Sequence, residues 1–411
     1  MTSVTKEMEI LKKSVPRQRR ALVLAAVLFW LGNYFFVPTF PTYCRSAGAS
    51  VAAVGVIASA YGLAQLLVRI PLGMVSDRIG RQKVFILTLG FGCLGIAAAA
   101  MALYPTPGVL FAGRLLSGIS ASAWVSFTIL YAGYYDAEQG QKAIAIMTLT
   151  SVIGPLIANF TGGAVSETLG PSVPFWMALG ISLIGGLVMF WIPEQKSTAG
   201  KAVTVRELLS VGKDRTVLTV SLIAALLQFA AFGAGTTFAP LLAEQKLGAS
   251  DTELGILAAI MAASGIPATL LAGTAAIRRR NTRGVMLICL LINAASCAAF
   301  PFVQTLWGVY LVQFLSGFAR NLVFPICMNL SIAGVEDTRK GSAMGFFQAL
   351  YSLGIFLGPL AIGNPGSSDN ALTGGFLLSA GIVFVGAALV FLLPRNPSAG
   401  QQQTESNGVG S

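Results

Sequence analysis

Long apolar runs of about 20 residues alternate with short polar breaks along most of this 411-residue chain. A helix of that length spans the roughly 30 Å hydrocarbon core of a bilayer. The pattern therefore predicts an all-α membrane protein with twelve transmembrane helices. We place them at residues 19–42, 51–75, 83–104, 108–133, 141–164, 173–193, 216–243, 252–276, 284–304, 306–331, 341–363 and 371–393.

Basic residues are distributed unevenly between the two sets of predicted loops. They cluster in residues 1–20 and in every second loop after that, whereas the other loops hold only Arg45 and Lys246. Lys and Arg accumulate on the cytoplasmic side of membrane proteins. The asymmetry therefore predicts that both termini and the central loop are cytoplasmic.

The longest internal polar break divides the twelve predicted helices into two groups of six. We predict a cytoplasmic N-terminal segment at 1–18, a six-helix bundle at 19–193, a cytoplasmic linker at 194–215, a second six-helix bundle at 216–393 and a disordered cytoplasmic tail at 394–411. Within the linker, residues 203–211 fit either a short amphipathic helix at the membrane interface or a solvated connection.

Composition supports the membrane assignment and removes several classes of function. Hydrophobic residues make up 55% of the chain and charged residues 10%, whereas roughly a quarter of the residues in soluble domains are charged. The net charge of +11 reflects membrane topology rather than nucleic-acid binding. The chain has no histidine and its cysteines are scattered, so we expect no metal site, no cofactor and no enzymatic activity.

The two halves of the chain share motifs in the same order. Arg114 to Gly118 reads RLLSG and corresponds to QFLSG from Gln313, and Gly154-Pro155 corresponds to Gly358-Pro359, each pair about 200 residues apart. Such matches indicate two related six-helix halves. This duplication is typical of secondary transporters, whose halves rock about a site near the membrane midplane.

A charged turn between the second and third predicted helices carries the most specific motif. It reads G-x-x-x-D-R-x-G-R-x-K from Gly73 to Lys83. This motif resembles the signature loop of the major facilitator superfamily, and the resemblance covers about residues 15–395. It implies the twelve-helix facilitator fold, a monomer surrounded by membrane lipids, and a small-molecule substrate moved together with protons or a counter-anion.

The resemblance also implies a gate on the cytoplasmic side. Asp77 matches an aspartate that contacts the opposite half, and Arg81 matches a residue that pairs with the counterpart of Asp136. The second copy of the turn has Ile277 where the first has Asp77, which concentrates the gating charge in the first half. A simpler alternative is that these charges only end the helices and set topology. The predicted gate residues are Gly73, Asp77, Arg78, Gly80, Arg81 and Asp136.

Three arginines fall inside predicted helices, whereas every acidic residue can be assigned to a loop or a helix end. A charge at the bilayer centre costs at least about 2.5–3.5 kcal/mol, so carbonyls, amides, water or an anionic substrate must compensate it. We expect Arg69 to snorkel to the cytoplasmic surface. Arg114 resembles the fourth-helix arginine of proton-coupled family members, with a structural hydrogen bond to helix carbonyls as the alternative. Arg320 lies about 20 Å into the tenth helix and is the best candidate for anion contact.

Two Gly-Pro pairs lie inside predicted helices. Gly154-Pro155 in the fifth helix resembles the antiporter motif of the family, and Gly358-Pro359 in the eleventh helix follows Gly354 at helical spacing. Small residues and proline let a helix bend and pack closely. The resemblance favours export, with a plain proline kink as the alternative interpretation.

Polar and aromatic residues on several helices form the predicted lining of a central cavity. Amides are the better candidates, because burying an amide without a partner is costly. Asn33 stands where many proton-coupled relatives carry an acid in the first helix. The candidate lining residues are Asn33, Tyr34, Arg114, Trp124, Phe127, Gln228, Phe232, Gln313, Arg320, Asn321, Gln348 and Tyr351.

Taken together, these features predict a secondary active transporter that moves a small organic or amphipathic compound by alternating access. The resemblance to bacterial drug and metabolite antiporters favours export by proton antiport and places the protein in the bacterial cytoplasmic (inner) membrane. Two alternatives are left open. One is an importer or exchanger of organic anions that uses the buried arginines, and the other is a non-transporting receptor or lipid-handling protein on the same scaffold.

Overall fold

A computed structural model of the chain describes residues 3–79, 83–135, 139–193, 205–272, 282–336, 339–363 and 371–393. Within these ranges the backbone is helical apart from short turns, and no β-strand occurs. The predicted all-α fold is confirmed.

The first half of the chain forms one helical bundle. Aromatic rings fill its centre: Phe29, Phe91 and Phe127 meet with centroid separations of 5.2–6.4 Å, and Phe36 stacks on Phe175 at 4.9 Å. The helices are α1 (Ser3–Tyr34), α2 (Phe40–Ser46), α3 (Val51–Ile79), α4 (Lys83–Leu103), α5 (Pro107–Ser122), α6 (Trp124–Ala132), α7 (Gly140–Leu169) and α8 (Val173–Phe190).

The second half forms a matching bundle around its own apolar core. A short helix, α9 (Val205–Val211), precedes it. The bundle helices are α10 (Arg215–Ala230), α11 (Ala239–Leu247), α12 (Asp251–Ala263), α13 (Gly265–Ala272), α14 (Thr282–Ala299), α15 (Leu306–Ala333), α16 (Lys340–Ile362) and α17 (Ala371–Leu389), with a π-helix at Ala231–Phe238 and 3-10 turns at Phe300–Phe302 and Val390–Leu392.

Eleven helical segments of the described chain are long and apolar enough to cross a membrane. The apolar part of α1, which begins at Ala21, packs against α7 and α8 and completes the first bundle. Large side chains face outward near helix ends: Trp191 is 77% exposed and Trp307 is 82% exposed. Indole rings favour the membrane–water interface. Across the described residues the chain therefore has the predicted twelve-helix arrangement in two bundles.

Several predicted helices are interrupted in the structure. The fourth predicted helix breaks at Ala123, between α5 and α6, and the eighth breaks at Ser264, between α12 and α13. The seventh changes to π-helical geometry, where the hydroxyls of Thr236 and Thr237 donate to carbonyls five residues earlier. Hydrophobic periodicity did not reveal these changes, because each segment stays predominantly apolar and isolated polar residues such as Ser264 and Thr236 do not interrupt the pattern.

The inferred duplication is visible in how the bundles pack. A Cβ atom placed on Gly118 of α5 would strike the carbonyl of Tyr61 in α3, and one placed on Gly317 of α15 would lie 3.0 Å from the carbonyl oxygen of Met261 in α12. Tyr61 and Met261 are separated by about 200 residues, as are the two glycines. Equivalent positions therefore make equivalent contacts in the two halves.

The Gly-Pro pairs are equivalent in the same way. A Cβ atom on Gly154 would lie 2.5 Å from the Cβ of Trp30 in α1, and one on Gly358 would strike the carbonyl of Phe229 in α10. Each glycine thus lets its helix approach the first helix of its own bundle closely. Pro155 and Pro359 both lie inside continuous helices.

The first and last membrane helices have their chain ends on one side of the membrane, and we call the opposite side the far side. Two glycine contacts join the bundles there. A Cβ atom on Gly363 would lie 3.0 Å from the Cα of Gly55, and one on Gly255 would lie 3.0 Å from the Cα of Gly163. The first contact joins α3 to α16 and the second joins α7 to α12. Backbones this close leave no space for a solute between them, so the far side is closed in this structure.

Helix α9 lies within the predicted linker. Its Leu208 and Val211 are buried, and Val211 joins a small cluster with Val217 and Ala343 of the second bundle. Of the two alternatives for residues 203–211, the structure therefore has the helix. It begins at Val205 and docks on the second bundle. Residues 194–204 and the predicted tail at 394–411 lie outside the described residues.

Candidate functional site

Arg320 lies near the middle of α15, where neighbouring amides orient its side chain. Its Nε donates to Oε1 of Gln228 in α10 at 2.8 Å, and its Nη1 reaches Oδ1 of Asn321 at 3.4 Å. The amide of Asn321 in turn donates to the Met261 carbonyl and to the Ser264 hydroxyl, both at 3.3 Å. This network ties α15 to α10 and α12, and the partners it gives Arg320 are neutral.

Arg114 is held differently, because two aromatic rings face its guanidinium. The Cζ atom lies 5.0 Å from the ring centroid of Phe40 and 4.6 Å from that of Tyr61. The side chain is only 6% exposed, and its Nε is buried without a hydrogen-bond partner. Ring faces attract a desolvated cation by about 2 kcal/mol or more. The arginine is therefore stabilised by rings rather than by the predicted helix carbonyls.

Arg69 links the two bundles. Its Nη1 donates to the hydroxyl of Tyr351 in α16, and its Cζ lies 5.0 Å from the ring centroid of the same residue. Arg69 is ten residues from the end of α3 at Ile79, which is about 15 Å along a helix. The predicted snorkelling to the surface is wrong for this side chain, since it points to the opposite bundle.

Tyr34, at the end of α1, interacts electrostatically with arginines of both halves. It is within electrostatic range of both Arg114 and Arg320. Tyr351 is within range of Arg320 as well. Next to them, the ring of Tyr61 stacks on Phe232 of the π-helix, with centroids 5.9 Å apart. Arginines and tyrosines from both bundles thus form one central layer, which we call the arginine–tyrosine layer: Tyr34, Tyr61, Arg69, Arg114, Arg320 and Tyr351.

Several predicted lining residues have other surroundings. The amide of Asn33 donates to the carbonyl of Phe29 in its own helix, and its Oδ1 is buried without a partner. Trp124 packs 4.7 Å from the ring of Trp30 in the aromatic core of the first bundle, and Phe127 is fully buried there. These residues support the helices that carry the layer.

Two further amides lie in the second bundle. Gln313 donates to the carbonyl of Gly235 in the π-helix at 3.1 Å and is 1% exposed, which places it in the bundle interior. Gln348 is half-buried on α16, three residues before Tyr351. Residues three apart share a helix face, so Gln348 lies beside the arginine–tyrosine layer.

The predicted gate lies largely at the limit of the described residues. Gly73, Asp77 and Arg78 belong to the last turns of α3, and their side chains are not described. Gly80, Arg81 and Asp136 lie outside the described residues, as does the predicted pair between the last two. The gating roles of all six remain predictions.

Sequence reasoning did not identify Tyr61, whose ring faces Arg114 and stacks on Phe232 of the second bundle. Its helix is a long apolar run, and a single tyrosine in such a run does not by itself indicate a functional site. The available clue was its position about 200 residues before Met261, opposite the duplicated glycines.

The chemistry available at this depth is cationic and aromatic. None of the 16 acidic residues falls in the middle of a membrane helix, and the described residues contain no cluster of His, Cys, Asp and Glu that could hold a metal ion. Three guanidinium groups therefore face aromatic rings, hydroxyls and amides. Such a layer can bind a planar anion through charge-assisted hydrogen bonds.

Comparison with known sequences gives consistent matches. The sequence model of the Major Facilitator Superfamily matches residues 22–273 and again residues 220–410. The tetracycline resistance protein, class B, of Escherichia coli is 25% identical over 406 residues, which cover 94% of this chain and 98% of that protein. The inner membrane transport protein YajR of Escherichia coli K12 is 30% identical over 191 residues. That match covers 45% of this chain and only 41% of YajR.

Solved structures match the fold over nearly the whole chain. A bacterial homologue of the human lysosomal transporter Spinster, in an inward-facing and unoccupied conformation, superimposes with a TM-score of 0.75 at 18% identity, covering 92% of this chain and 96% of that one. The human organic anion transporter MFSD10 superimposes with a TM-score of 0.67 at 20% identity, covering 92% of this chain and 99% of that one. At these identities the likeness concerns the fold.

Proposed function

Because the chain belongs to the Major Facilitator Superfamily, we propose that it is a secondary transporter that moves a small organic or amphipathic compound across the membrane by alternating access. The observation that carries this proposal is the far-side closure by the glycine pairs Gly55–Gly363 and Gly163–Gly255. The closure lies above an arginine–tyrosine layer built from both bundles. Rocking the bundles about that layer would open the far side.

We further propose that transport is export by proton antiport. The likeness to a tetracycline resistance protein supports this direction, as does Gly154-Pro155 in the fifth membrane helix. The cytoplasmic placement of both termini, which the basic loops predict, would put the gate of Asp77 and Arg81 on the inner face. An outward-facing state would then be held closed on the inside by that gate.

A second candidate function is exchange of organic anions. One observation favours it: Arg69, Arg114 and Arg320 share a layer that contains no carboxylate. A proton antiporter generally needs a group that gains and loses a proton at depth, and guanidinium groups stay protonated. Anion exchange needs only the cations.

Transport by purified protein in vesicles separates these functions. With proton antiport, an imposed pH gradient drives uptake of a labelled organic solute without any anion on the opposite side. Strict dependence on a trans anion, with no response to the pH gradient, would establish exchange and eliminate antiport. Absence of saturable solute movement under both gradients would leave only a non-transporting receptor or lipid-handling protein.

The gate can be tested in the same vesicles. Asp77→Asn should lower the transport rate at least about tenfold, which corresponds to the loss of about 1.4 kcal/mol from one gating contact. Glu244→Gln is the matched control, because this acidic side chain is exposed at the far-side end of α11. Equal rates in the two variants would refute the gating role of Asp77.

A further inference from the structure

The three interior arginines differ in which hydrogen-bond donors remain available to a ligand. Arg114 is enclosed by Phe40 and Tyr61 and is 6% exposed. Arg69 is half-buried and its Nε is buried without a hydrogen-bond partner, but the hydroxyl and the ring of Tyr351 engage its guanidinium and turn it to the opposite bundle. Arg320 is half-buried, and its described bonds use Nε and Nη1. Its Nη2 therefore has no hydrogen-bond partner among the described residues.

The orientation of Arg320 is set before any ligand arrives. A guanidinium has five donors in a rigid plane, and the bond of 2.8 Å from Nε to Gln228 fixes the direction of that plane. Gln228 is only 4% exposed, so its amide is itself held by the bundle. A planar fork held in this way matches the two oxygens of a carboxylate.

Among the described residues the charge of Arg320 has no acidic partner. Its nearest neighbours are the amides of Gln228 and Asn321 and, within electrostatic range, the tyrosines at positions 34 and 351. A desolvated cation with neutral partners gains most from an arriving anion, because a charge-assisted pair is about twice as strong as a neutral hydrogen bond. The missing counter-charge is thus one that a substrate can supply.

Two tyrosine rings lie within electrostatic range of this cation. Tyr34 and Tyr351 are both half-buried. The ring of Tyr351 packs 5.3 Å from Phe324 and 5.6 Å from Phe347, which holds it in place. Because the guanidinium of Arg69 lies over one face of the Tyr351 ring, a planar group would stack on the opposite face.

We propose that the arginine–tyrosine layer binds an aromatic carboxylate, whose oxygens pair with the free edge of Arg320 and whose ring lies against Tyr34 and Tyr351. This inference rests on the proposed transport function, since it names the substrate class of the same site. Gln228 is the positioning residue, and Arg114 supports the layer without touching the carboxylate.

Three probes of nearly identical shape test the charge requirement: benzoate, benzamide and benzamidinium. Thermal unfolding of the purified full-length protein should shift upward with benzoate alone. In Arg320→Gln the apparent affinity for benzoate should fall about tenfold or more, as expected when a buried charged partner is lost. Arg45→Gln is the matched control, because this arginine is exposed at the far side and its loss changes the net charge equally.

Gln228→Glu provides a test that keeps the arginine. The new carboxylate would lie at the position that now accepts from Nε at 2.8 Å, and it would supply the missing counter-charge from within the protein. Benzoate binding should therefore fall at least tenfold, while the unfolding temperature without ligand stays equal or rises. Arg320→Lys should lie between wild type and Arg320→Gln, because it keeps the charge and loses the fork.

Three results would overturn the inference. They are no benzoate shift in the wild-type protein, an equal shift with benzamide, and an unchanged benzoate response in Arg320→Gln. The outcome is separable from that of the transport assay. Solute movement without benzoate binding would leave the proposed function standing, whereas benzoate binding without movement would remove the transport function and retain the site.

Discussion

Gly163 and Gly255 meet across the boundary between the two bundles, so closely that a Cβ atom on Gly255 would lie 3.0 Å from the Cα of Gly163. The pair Gly363 and Gly55 repeats this contact at the pseudo-symmetric position. Both contacts join backbone atoms, and they can form only because the residues of each pair have no side chain. An added side chain at one of these glycines is therefore expected to act on the conformational equilibrium of the transporter.

Gly255→Val should open the far side. Forcing extra carbon into a packed contact costs about 1–3 kcal/mol, which shifts a two-state equilibrium by roughly 5- to 150-fold. Spin labels at positions 169 and 245, in a background without native cysteines, report the far-side separation, and we expect the distance between them to increase. Gly180→Val is the control, since a Cβ atom there meets nothing within 4 Å. Identical distance distributions in the two variants would contradict the role assigned to the glycine pair.

Asp251 and Glu167 add a polar contact beside the same glycines. The hydroxyl of Ser166 donates to Oδ2 of Asp251 at 2.5 Å, and Oε2 of Glu167 accepts from the backbone nitrogen of Thr252 at 2.8 Å. Acidic groups at a helix N-terminus contribute about 0.3–1 kcal/mol. Asp251→Ala should therefore open the far side by a smaller amount than Gly255→Val.

The same spin-label pair measures this change, and added salt should reduce the difference between wild type and Asp251→Ala, because salt screens exposed charges. Glu244→Ala removes another exposed acid from the far side and serves as the control. A shift in Glu244→Ala as large as that in Asp251→Ala would indicate a general charge effect rather than the contact with α7.

Tyr351→Phe tests the contact with Arg69. The substitution keeps the ring over the guanidinium and removes the accepting hydroxyl, and hydrogen bonds to charged groups contribute about 1.5–3 kcal/mol. We expect a lower unfolding temperature in detergent, whereas Tyr104→Phe, at a position 67% exposed, should leave it unchanged. In an Arg69→Gln background the effect of Tyr351→Phe should shrink, as a double-mutant cycle requires of residues in contact. Full additivity would refute the pairing.

Gly354 and Gly358 allow α16 to lie directly on α10. A Cβ atom at either position would strike a carbonyl, that of Ala225 or that of Phe229. Gly358→Ala should destabilise the folded protein by about 1–3 kcal/mol, measured as the free energy of unfolding in mixed detergent. Gly381→Ala has open space around its Cβ position and should be neutral or slightly stabilising, because alanine favours helix. Equal stability of the two variants would show that α16 can move away without cost.

Much of the architecture was readable from the chain because hydrocarbon imposes simple rules. The apolar runs predicted the helices, and the offset of about 200 residues between RLLSG and QFLSG predicted two related halves, which the paired packing of Gly118 and Gly317 reflects. Arg320 was identified as a deep cation from its position alone. Its amide partners were less predictable, since Gln228 lies 92 residues away in another helix.

The sequence by itself determined that this protein spans the membrane, that its two halves are related, and that its interior cations have no acidic residues to pair with. Those conclusions depend on composition and spacing, which hold whatever the helices touch. Only the tertiary structure decided which cation is enclosed by rings, which one bridges the bundles and which one is left for a ligand. Contacts such as Arg69–Tyr351 and Arg114–Tyr61 join separate helices. The hydrophobic periodicity of a helix shows which of its faces is apolar, but not which residues of another helix that face contacts.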